Sequence, residues 1–308
     1  MRSLSESSIY KLKFIAAFAA VYIVWGSTYL AIKIAIKTLP PLMSGGIRFL
    51  IAGVILFIYK SIYKGEKPTA RHWVSAFIAG SLFFLIANGT VILGMKYIDS
   101  SIAAILVALT PAWMVVFDQL HANRHKPGLL TLLGIAISFV GVVILFNPFH
   151  LLSQEHMHIA GAVTIMSGSM CWAAGTIYLR VAKLPDSKGL AASMQMIMGG
   201  SLLLIASAFA GETNSIHPEN FSLESLIALL YLIVFGSIVA FSAYNWLLTI
   251  VSPAMIGTTA YVNPIVAIVL GIFIAGESIQ LNGIIASVII LSGVIMISRE
   301  ASLQSKTI

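Results

Sequence analysis

The stretch FIAAFAAVYIVWGSTYLAIKIAI, at residues 14–36, is a continuous apolar run long enough to cross a membrane as a helix. A helix of about 20 apolar residues spans the roughly 30 Å hydrocarbon core of a bilayer. Nine further runs of this kind follow, at residues 42–59, 73–94, 101–120, 129–146, 159–179, 189–210, 223–248, 255–275 and 281–298. The chain is therefore predicted to be an all-α integral membrane protein with ten transmembrane helices.

The composition excludes most classes of soluble protein. Of the 308 residues, 59% are hydrophobic and 9% are charged, whereas roughly 25% of the residues of an ordinary globular domain are charged. The net charge of +7 would indicate a nucleic-acid partner only if the basic residues formed a patch on a soluble face. We expect the lipid bilayer to surround the chain, and we expect no nucleic-acid partner.

The basic residues predict the orientation, because short cytoplasmic loops retain Lys and Arg preferentially. With the N-terminus in the cytoplasm, fourteen of the 18 basic residues fall on the cytoplasmic side. The opposite side carries Lys33, Lys37 and Lys96, and its later loops carry only acids and histidines. Both termini are therefore predicted to be cytoplasmic.

The second half of the chain repeats the first. At an offset of 147 residues Trp25 matches Trp172 and Gly53 matches Gly200, and at an offset of 153 Pro111 matches Pro264. A unit with five spans places its second copy upside down in the membrane. The sequence thus predicts two inverted five-helix repeats, at residues 14–147 and 159–299, with short cytoplasmic tails at 1–13 and 300–308.

Several short motifs carry a family resemblance along almost the whole chain. They are WGSTY at 25–29, GIRF at 46–49, AYVNP at 260–264 and GE at 276–277. In order and spacing they resemble the EamA-type carriers of the drug/metabolite transporter superfamily, which are bacterial inner-membrane exporters. The resemblance implies a bundle around a central cavity that exports amino acids, related metabolites or drugs.

Arg48 is the leading candidate for substrate binding. An arginine inside a membrane-spanning helix is costly and points to function, and its guanidinium can hold a carboxylate by two parallel hydrogen bonds. The alternative is that Arg48 extends to the membrane interface or binds helix-end carbonyls. Its counterpart in the second repeat is the neutral Gln195, so we expect a cavity that is charged on one side only.

Aromatic and amide side chains are the remaining candidates for a cavity lining. Trp25 and Tyr29 are four residues apart and share a helix face, and Trp172 repeats the tryptophan in the other half. Ordinary helix packing is the alternative for these rings. The other predicted lining residues are polar and lie within spans three, eight and nine: Asn88, Tyr244, Tyr261 and Asn263.

Two prolines fall inside predicted spans, Pro111 in span four and Pro264 in span nine. Each removes a backbone donor and leaves carbonyls of the preceding turn without their partner. A non-helical backbone at this depth requires protein or cavity water to satisfy those groups. We interpret the prolines as hinges, and a static kink that improves packing is the alternative.

The predicted function is export of small metabolites by alternating access, with amphiphilic amino acids leading. A broad-specificity drug or cation efflux carrier, a non-transporting helper or sensor, and an intramembrane enzyme are the alternatives. No Asp or Glu lies clearly in mid-span, since Asp118 and Glu277 fall near helix ends, so we expect facilitated export or exchange rather than obligate proton antiport.

No cofactor and no catalytic residue are predicted. The chain lacks the GxxxxGK[ST] loop that cradles ATP phosphates. His150, Glu155, His156 and His158 cluster in a predicted outer loop, where we favour a solvated polar loop over a metal site. The sequence leaves a monomer and a homodimer both open.

Overall fold

Ten apolar helices dominate the computed structural model, which describes residues 2–64, 67–119, 127–146, 156–247, 249–251, 255, 258–277 and 281–304. Eight helices in this part of the chain are long and apolar enough to span a membrane, and two are shorter. In chain order α1 to α10 are Ile9–Ala35, Pro41–Ser61, Ala70–Gly94, Ser100–Gln119, Leu129–Leu145, Ile159–Tyr178, Lys188–Phe209, Leu223–Leu247, Thr259–Phe273 and Leu281–Glu300. The described residues contain no strand, so the all-α prediction is confirmed.

The helix ends differ from the predicted ones by a few residues. The first and last helices continue into polar residues, which a prediction from hydropathy leaves out. The first helix begins with the segment Arg2–Ala19, and the last helix is Leu281–Gln304. The helix of span nine is described from Thr259 onwards. The predicted start of this span is residue 255, and of residues 255–258 the structure describes only 255 and 258.

Successive helices run in opposite directions, which gives the bundle two ends. We call the end at which α1 begins the N-side, and the opposite end the far side. On the far side the hydroxyl of Thr38, after α1, accepts a bond from the backbone N–H of Ser222, before α8. On the N-side Arg180, after α6, forms an ion pair with Asp118, near the end of α4.

Three glutamates show that corresponding helices of the two repeats are antiparallel. Glu212, after α7, accepts backbone N–H bonds from the first turn of α2 at 3.1 and 2.9 Å. Glu277, after α9, accepts bonds from Ser100 at the start of α4. Glu300, at the end of α10, accepts one from Thr131 in α5. In each pair the end of a second-repeat helix meets the beginning of its first-repeat counterpart, as inverted units require.

Small residues let these counterpart helices approach closely. A Cβ built on Gly200 of α7 would lie 2.6 Å from the backbone nitrogen of Leu50 in α2. A Cβ on Gly293 of α10 would lie 2.4 Å from the carbonyl oxygen of Gly134 in α5. Small residues at such crossings permit close backbone packing between membrane helices. The contacts α2–α7 and α5–α10 are the most extensive between described helices.

Four helices depart from regular α-helical geometry near the middle of the bundle. Three contain π-helical stretches, at Ala20–Val24 in α1, Ser81–Asn88 in α3 and Leu232–Val239 in α8. The fourth, α4, is divided into Ser100–Val107 and Thr110–Gln119. Irregular backbone at membrane depth occurs where protein or a cavity satisfies it. The stretches in α3 and α4 contribute residues to the cavity described next, and those in α1 and α8 come shortly before lining residues of the same helices.

Candidate functional site

A cavity of about 710 Å³ lies between the two repeats. Its volume is within the range of roughly 300–1,000 Å³ that is usual for small-molecule sites. Nine of the residues predicted to bind substrate or to act as hinges line it: Trp25, Tyr29, Arg48, Asn88, Pro111, Trp172, Tyr244, Asn263 and Pro264. The structure therefore brings residues from seven helices to one space large enough for a metabolite.

Tyr261 does not line the cavity, although we predicted it as a binding residue. Its neighbours Ala260, Asn263 and Pro264 do. Residues 260, 263 and 264 share one face of α9, because positions three and four apart are neighbours on a helix. Tyr261 is one step, about 100°, around the axis from Ala260 and lies on another face of α9.

Arg48 is buried in the cavity wall, with 5% of its surface exposed. Its Nε donates to the hydroxyl of Ser237 in α8 at 2.9 Å. Its guanidinium carbon lies 4.6 Å from the ring centroid of Phe49, within the range of a cation–π contact. None of the described carboxylates forms an ion pair with Arg48. The positive charge is thus held by a neutral hydroxyl and an aromatic face.

The second repeat has no charged residue at the position that corresponds to Arg48. Gln195, the counterpart of Arg48, is also buried, with 8% exposed, but it is not part of the cavity lining. The middle of the cavity therefore carries one positive group from α2 and no equivalent from α7. An anionic group bound there would satisfy the guanidinium, whose burial is otherwise unfavourable.

Aromatic rings form much of the wall beside Arg48. The indole of Trp25 packs against Phe241 and Tyr244 of α8, with ring centroids 5.2 and 5.0 Å apart. Its Nε1 donates to the carbonyl of Gly236 at 3.2 Å. Trp172 packs edge-on against Phe83 at 4.9 Å. Such rings offer a rigid apolar surface to a ligand.

Two amides add polar groups to the same space. The Nδ2 of Asn88 donates to the carbonyl of Phe83, five residues earlier in the π-helical stretch of α3, at 2.8 Å. The Oδ1 of Asn263 is buried and has no hydrogen-bond partner among the described residues. An unsatisfied buried acceptor is costly, so a rotation of the Asn263 amide that turned Oδ1 towards the cavity would let it accept a bond from a ligand's N–H.

The two prolines differ in their effect on the backbone. Pro111 follows the interruption of α4 at Ala108 and Leu109, whereas Pro264 lies inside the continuous helix Thr259–Phe273 and is buried. At Pro111 the missing N–H falls in the first turn of a new helix, where it costs little. The repeat-related prolines therefore do not produce the same break.

The lining also contains charged residues that sequence reasoning placed outside the site. Asp118 and Arg180 line the cavity towards the N-side, together with Thr131 and Ser298. Hydropathy assigns residues at helix ends to the interface, so it gave no signal for them. Thr28 and Phe84 also line the cavity and were not predicted to do so. Only Thr28 could have been predicted, because it lies three residues after Trp25 and therefore on the same helix face.

The far side of the cavity is closed. A far-side cluster of buried apolar residues fills this end, and its members include Ala35, Leu39, Ile92, Met95, Ile98, Leu106 and Ile165. Above the cluster the Nζ of Lys33 donates to the carbonyls of Met95 and Ile98 at 2.9 and 2.7 Å and lies 3.8 Å from Asp99. The cavity therefore extends towards the N-side only.

Among the described residues, no three His, Cys, Asp or Glu side chains could hold a metal ion together. Of the loop cluster considered from the sequence, His150 and Glu155 lie outside the described residues, and for His156 and His158 only the backbone is described.

The inverted helical units and the substrate-sized cavity between them define a class of membrane transport protein. The chain belongs to the EamA-like transporter family, whose pattern matches residues 12–147 and 159–299. The inner membrane transporter YedA of Escherichia coli K12 is 35% identical over 283 residues, covering 92% of this chain and 89% of YedA.

More distant proteins match this chain over most of their own length. Protein PagO of Salmonella typhimurium is 25% identical and covers 91% of this chain and 90% of its own. The transporter YoaV of Bacillus subtilis is 20% identical, with 92% and 96% covered. One solved crystal structure has a TM-score of 0.62 at 15% identity and covers 92% of this chain and 96% of its own. That likeness supports the fold.

Proposed function

We propose that this transporter exports small amphiphilic metabolites bearing a carboxylate, with amino acids first, by alternating access. The observation that carries the proposal is the buried Arg48 in the cavity wall, which has no carboxylate partner among the described residues. A bound carboxylate would supply two charge-assisted hydrogen bonds to the guanidinium. The neighbouring rings would receive the apolar part of the ligand.

An amino acid fits the other polar groups as well. Its ammonium group could donate to the unpartnered Oδ1 of Asn263 and face the rings of Trp25 and Tyr244, which attract cations. A purely cationic drug would place its charge in the same cavity as Arg48, and the carboxylate of the lining, Asp118, already forms an ion pair with Arg180. The lining therefore favours a zwitterion or an anion over the cation-efflux alternative.

Alternating access is supported by the asymmetry of the two ends. The cavity extends to Asp118 and Arg180 on the N-side, while the far-side cluster closes the other end. In an inverted-repeat carrier, exchanging the shapes of the two units moves the opening to the opposite side. The N-side is proposed to be cytoplasmic, since it holds most of the basic residues, and the inner-membrane location of YedA supports the same membrane for this chain.

The test compares compounds released into the medium by cells producing the unmodified protein, Arg48→Ala, or an empty vector. Arg71→Ala is the matched control, because Arg71 is exposed and lies outside the cavity lining. At equal membrane abundance, we expect one class of carboxylate metabolite to accumulate several-fold with the unmodified protein and Arg71→Ala, and not with Arg48→Ala.

Other outcomes separate the parts of the proposal. Equal release by Arg48→Ala and the unmodified protein would show that a carrier is present but that Arg48 is structural. Release matching the vector for every variant would contradict export. Accumulation of cationic compounds alone would favour the drug-efflux alternative.

A further inference from the structure

One turn of α8 contacts two cavity residues on other helices. Gly236 and Ser237 are adjacent in the π-helical stretch Leu232–Val239. The Gly236 carbonyl accepts a bond from Trp25 of α1, and the Ser237 hydroxyl accepts one from Arg48 of α2. The stretch therefore connects the aromatic wall and the guanidinium through consecutive residues.

The π-helical geometry explains why both groups are available at this point. A π-helical turn contains one more residue than an α-helical turn, so backbone groups change partners there, and such turns occur frequently at functional sites. At the end of the stretch the N–H of Ala240 bonds to the carbonyl of Phe235, five residues earlier. The widened turn directs Gly236 and Ser237 towards α1 and α2.

The contacts of Arg48 leave one edge of its guanidinium for a ligand. Ser237 occupies Nε, and the ring of Phe49 lies against the group. The two terminal nitrogens, Nη1 and Nη2, remain, and their parallel N–H groups match the two coplanar oxygens of one carboxylate. If Nε were also free, the edge formed by Nε and a terminal nitrogen would compete for the carboxylate. The carboxylate could then bind the guanidinium in two orientations.

Gly236 controls the space beside the same group. A Cβ at this position would lie 3.2 Å from Nη2 of Arg48 and 3.1 Å from Cγ2 of Thr28. Both distances are tighter than ordinary van der Waals contact, so a larger residue would displace the guanidinium or the threonine. Any shift of Nη2 changes the edge that would meet the carboxylate.

We propose that Ser237 and Gly236 are specificity-determining positioning residues, which hold Arg48 so that its Nη1–Nη2 edge receives a single carboxylate. The inference rests on the proposed function and adds to it the reason why a carboxylate is distinguished from its neutral amide. Neither residue contacts the ligand in this account; each acts through Arg48.

The test uses the purified full chain in proteoliposomes, with radiolabelled L-phenylalanine as the probe and L-phenylalaninamide as the competing neutral-headed analogue. For Ser237→Ala we expect the apparent KM for phenylalanine to rise roughly tenfold, as for loss of a hydrogen bond to a charged group. The maximal rate should stay within about twofold, because the hydroxyl acts on binding. Preference for the acid over the amide should fall by a similar factor.

Matched variants separate positioning from a loss of structure. Ser193→Ala also removes a buried hydroxyl, but among the described residues that hydroxyl bonds only locally, to the Leu190 carbonyl. This variant should leave KM unchanged. Ser237→Thr and Ser237→Val have nearly the same shape and differ in the hydroxyl, so Thr should resemble the unmodified protein and Val should resemble Ala. This pair remains decisive if Ser237→Ala is poorly produced. Gly236→Ala should raise KM in the same direction.

Two results would overturn the inference in distinguishable ways. If the unmodified protein transports phenylalanine and the Ser237 variants keep its KM and its acid preference, the positioning role is wrong while the proposed function stands. If the unmodified protein transports phenylalanine no faster than empty liposomes, the amino-acid assignment fails, and the inference fails with it.

Discussion

Trp25 and Trp113 differ in whether their indole N–H has a partner. The Nε1 of Trp25 donates to Gly236, whereas the Nε1 of Trp113 is buried with no partner among the described residues. Both rings also pack against aromatic neighbours, Trp113 against Phe139 at 5.2 Å. Trp25→Phe and Trp113→Phe remove the same atoms, but only Trp25→Phe deprives a carbonyl, that of Gly236, of its donor.

We therefore expect Trp25→Phe to lower the free energy of unfolding by about 1 kcal/mol more than Trp113→Phe does, which is the usual net value of one hydrogen bond. Thermal unfolding of both purified variants in the same detergent measures the difference. Equal losses would show that the bond from Trp25 to Gly236 contributes nothing to stability beyond the packing of the Trp25 ring.

At the level of single residues, the sequence indicates groups that are out of place in lipid. Arg48 and Trp25, which both line the cavity, could be singled out from the sequence because a charge and a large amphipathic ring are conspicuous in an apolar helix. Ser237 was not predicted, because one serine among apolar residues gives the same signal whether its hydroxyl serves its own helix or a distant arginine. Its role depends on the packing of α8 against α2, which hydropathy does not contain.

Among the helices, the capping of α4 by Glu277 has a pH dependence that can be derived. Burial alone would raise the pKa of the Glu277 carboxyl, but hydrogen bonds from the hydroxyl and backbone N–H groups of Ser100 and Ser101 outweigh it, so the pKa is lowered from 4.5. The stabilisation is therefore complete above the ordinary glutamate pKa and is lost as the pH falls through the lowered value.

Glu277→Gln should destabilise the protein at pH 7 by about 1 kcal/mol, a value reduced for the partial exposure of this carboxyl. The difference from the unmodified protein should shrink as the pH falls below the ordinary glutamate pKa and through the lowered one, because Glu277 is then itself protonated. Unfolding midpoints measured from pH 3 to 8 test this. Glu219→Gln is the control, since the Glu219 side chain is 69% exposed and its pair with His217 lies on the surface, where such pairs contribute little to stability. A constant loss across the whole range would contradict the electrostatic origin.

The helices themselves could be predicted because a membrane span is defined by the composition of about 20 residues. Their irregularities could not. Pro111 and Pro264 correspond in the repeat, yet only α4 is interrupted, since whether a proline breaks a helix depends on the neighbours that satisfy the freed carbonyls. Asp118 and Arg180 were assigned to helix ends correctly, but their place in the cavity follows from how α4 and α6 converge on the N-side.

For the whole molecule, the decisive property is that one end is closed by a few polar contacts above an apolar cluster. Lys33 connects the end of α1 to two carbonyls in the turn that follows α3 and to Asp99 before α4. Cations at a helix C-terminus are favourable because they interact with its unsatisfied carbonyls. In the proposed alternating-access cycle, opening the far side would separate α1 from the ends of α3 and α4 and break these contacts, so they would stabilise the closed state relative to the open one.

We expect Lys33→Gln to shift this equilibrium towards far-side opening by about 1 kcal/mol, or roughly fivefold in population, because three contacts of a partly exposed ammonium are lost. The reporter is Ile92→Cys, at a position in the far-side cluster, in a Cys171→Ser background, because Cys171 is the single cysteine of the sequence. In intact cells an impermeant maleimide should modify Ile92→Cys several-fold faster with Lys33→Gln than without it.

Two comparisons make the result specific. Lys37→Gln removes a nearby exposed lysine and should not change the rate. Met114→Cys, which lines the cavity, should react from the N-side in inverted vesicles, and Lys33→Gln should slow that reaction by depleting the state open on that side. Faster labelling at both positions would indicate general loosening of the bundle, whereas opposite changes at Ile92 and Met114 are what two mutually exclusive openings require.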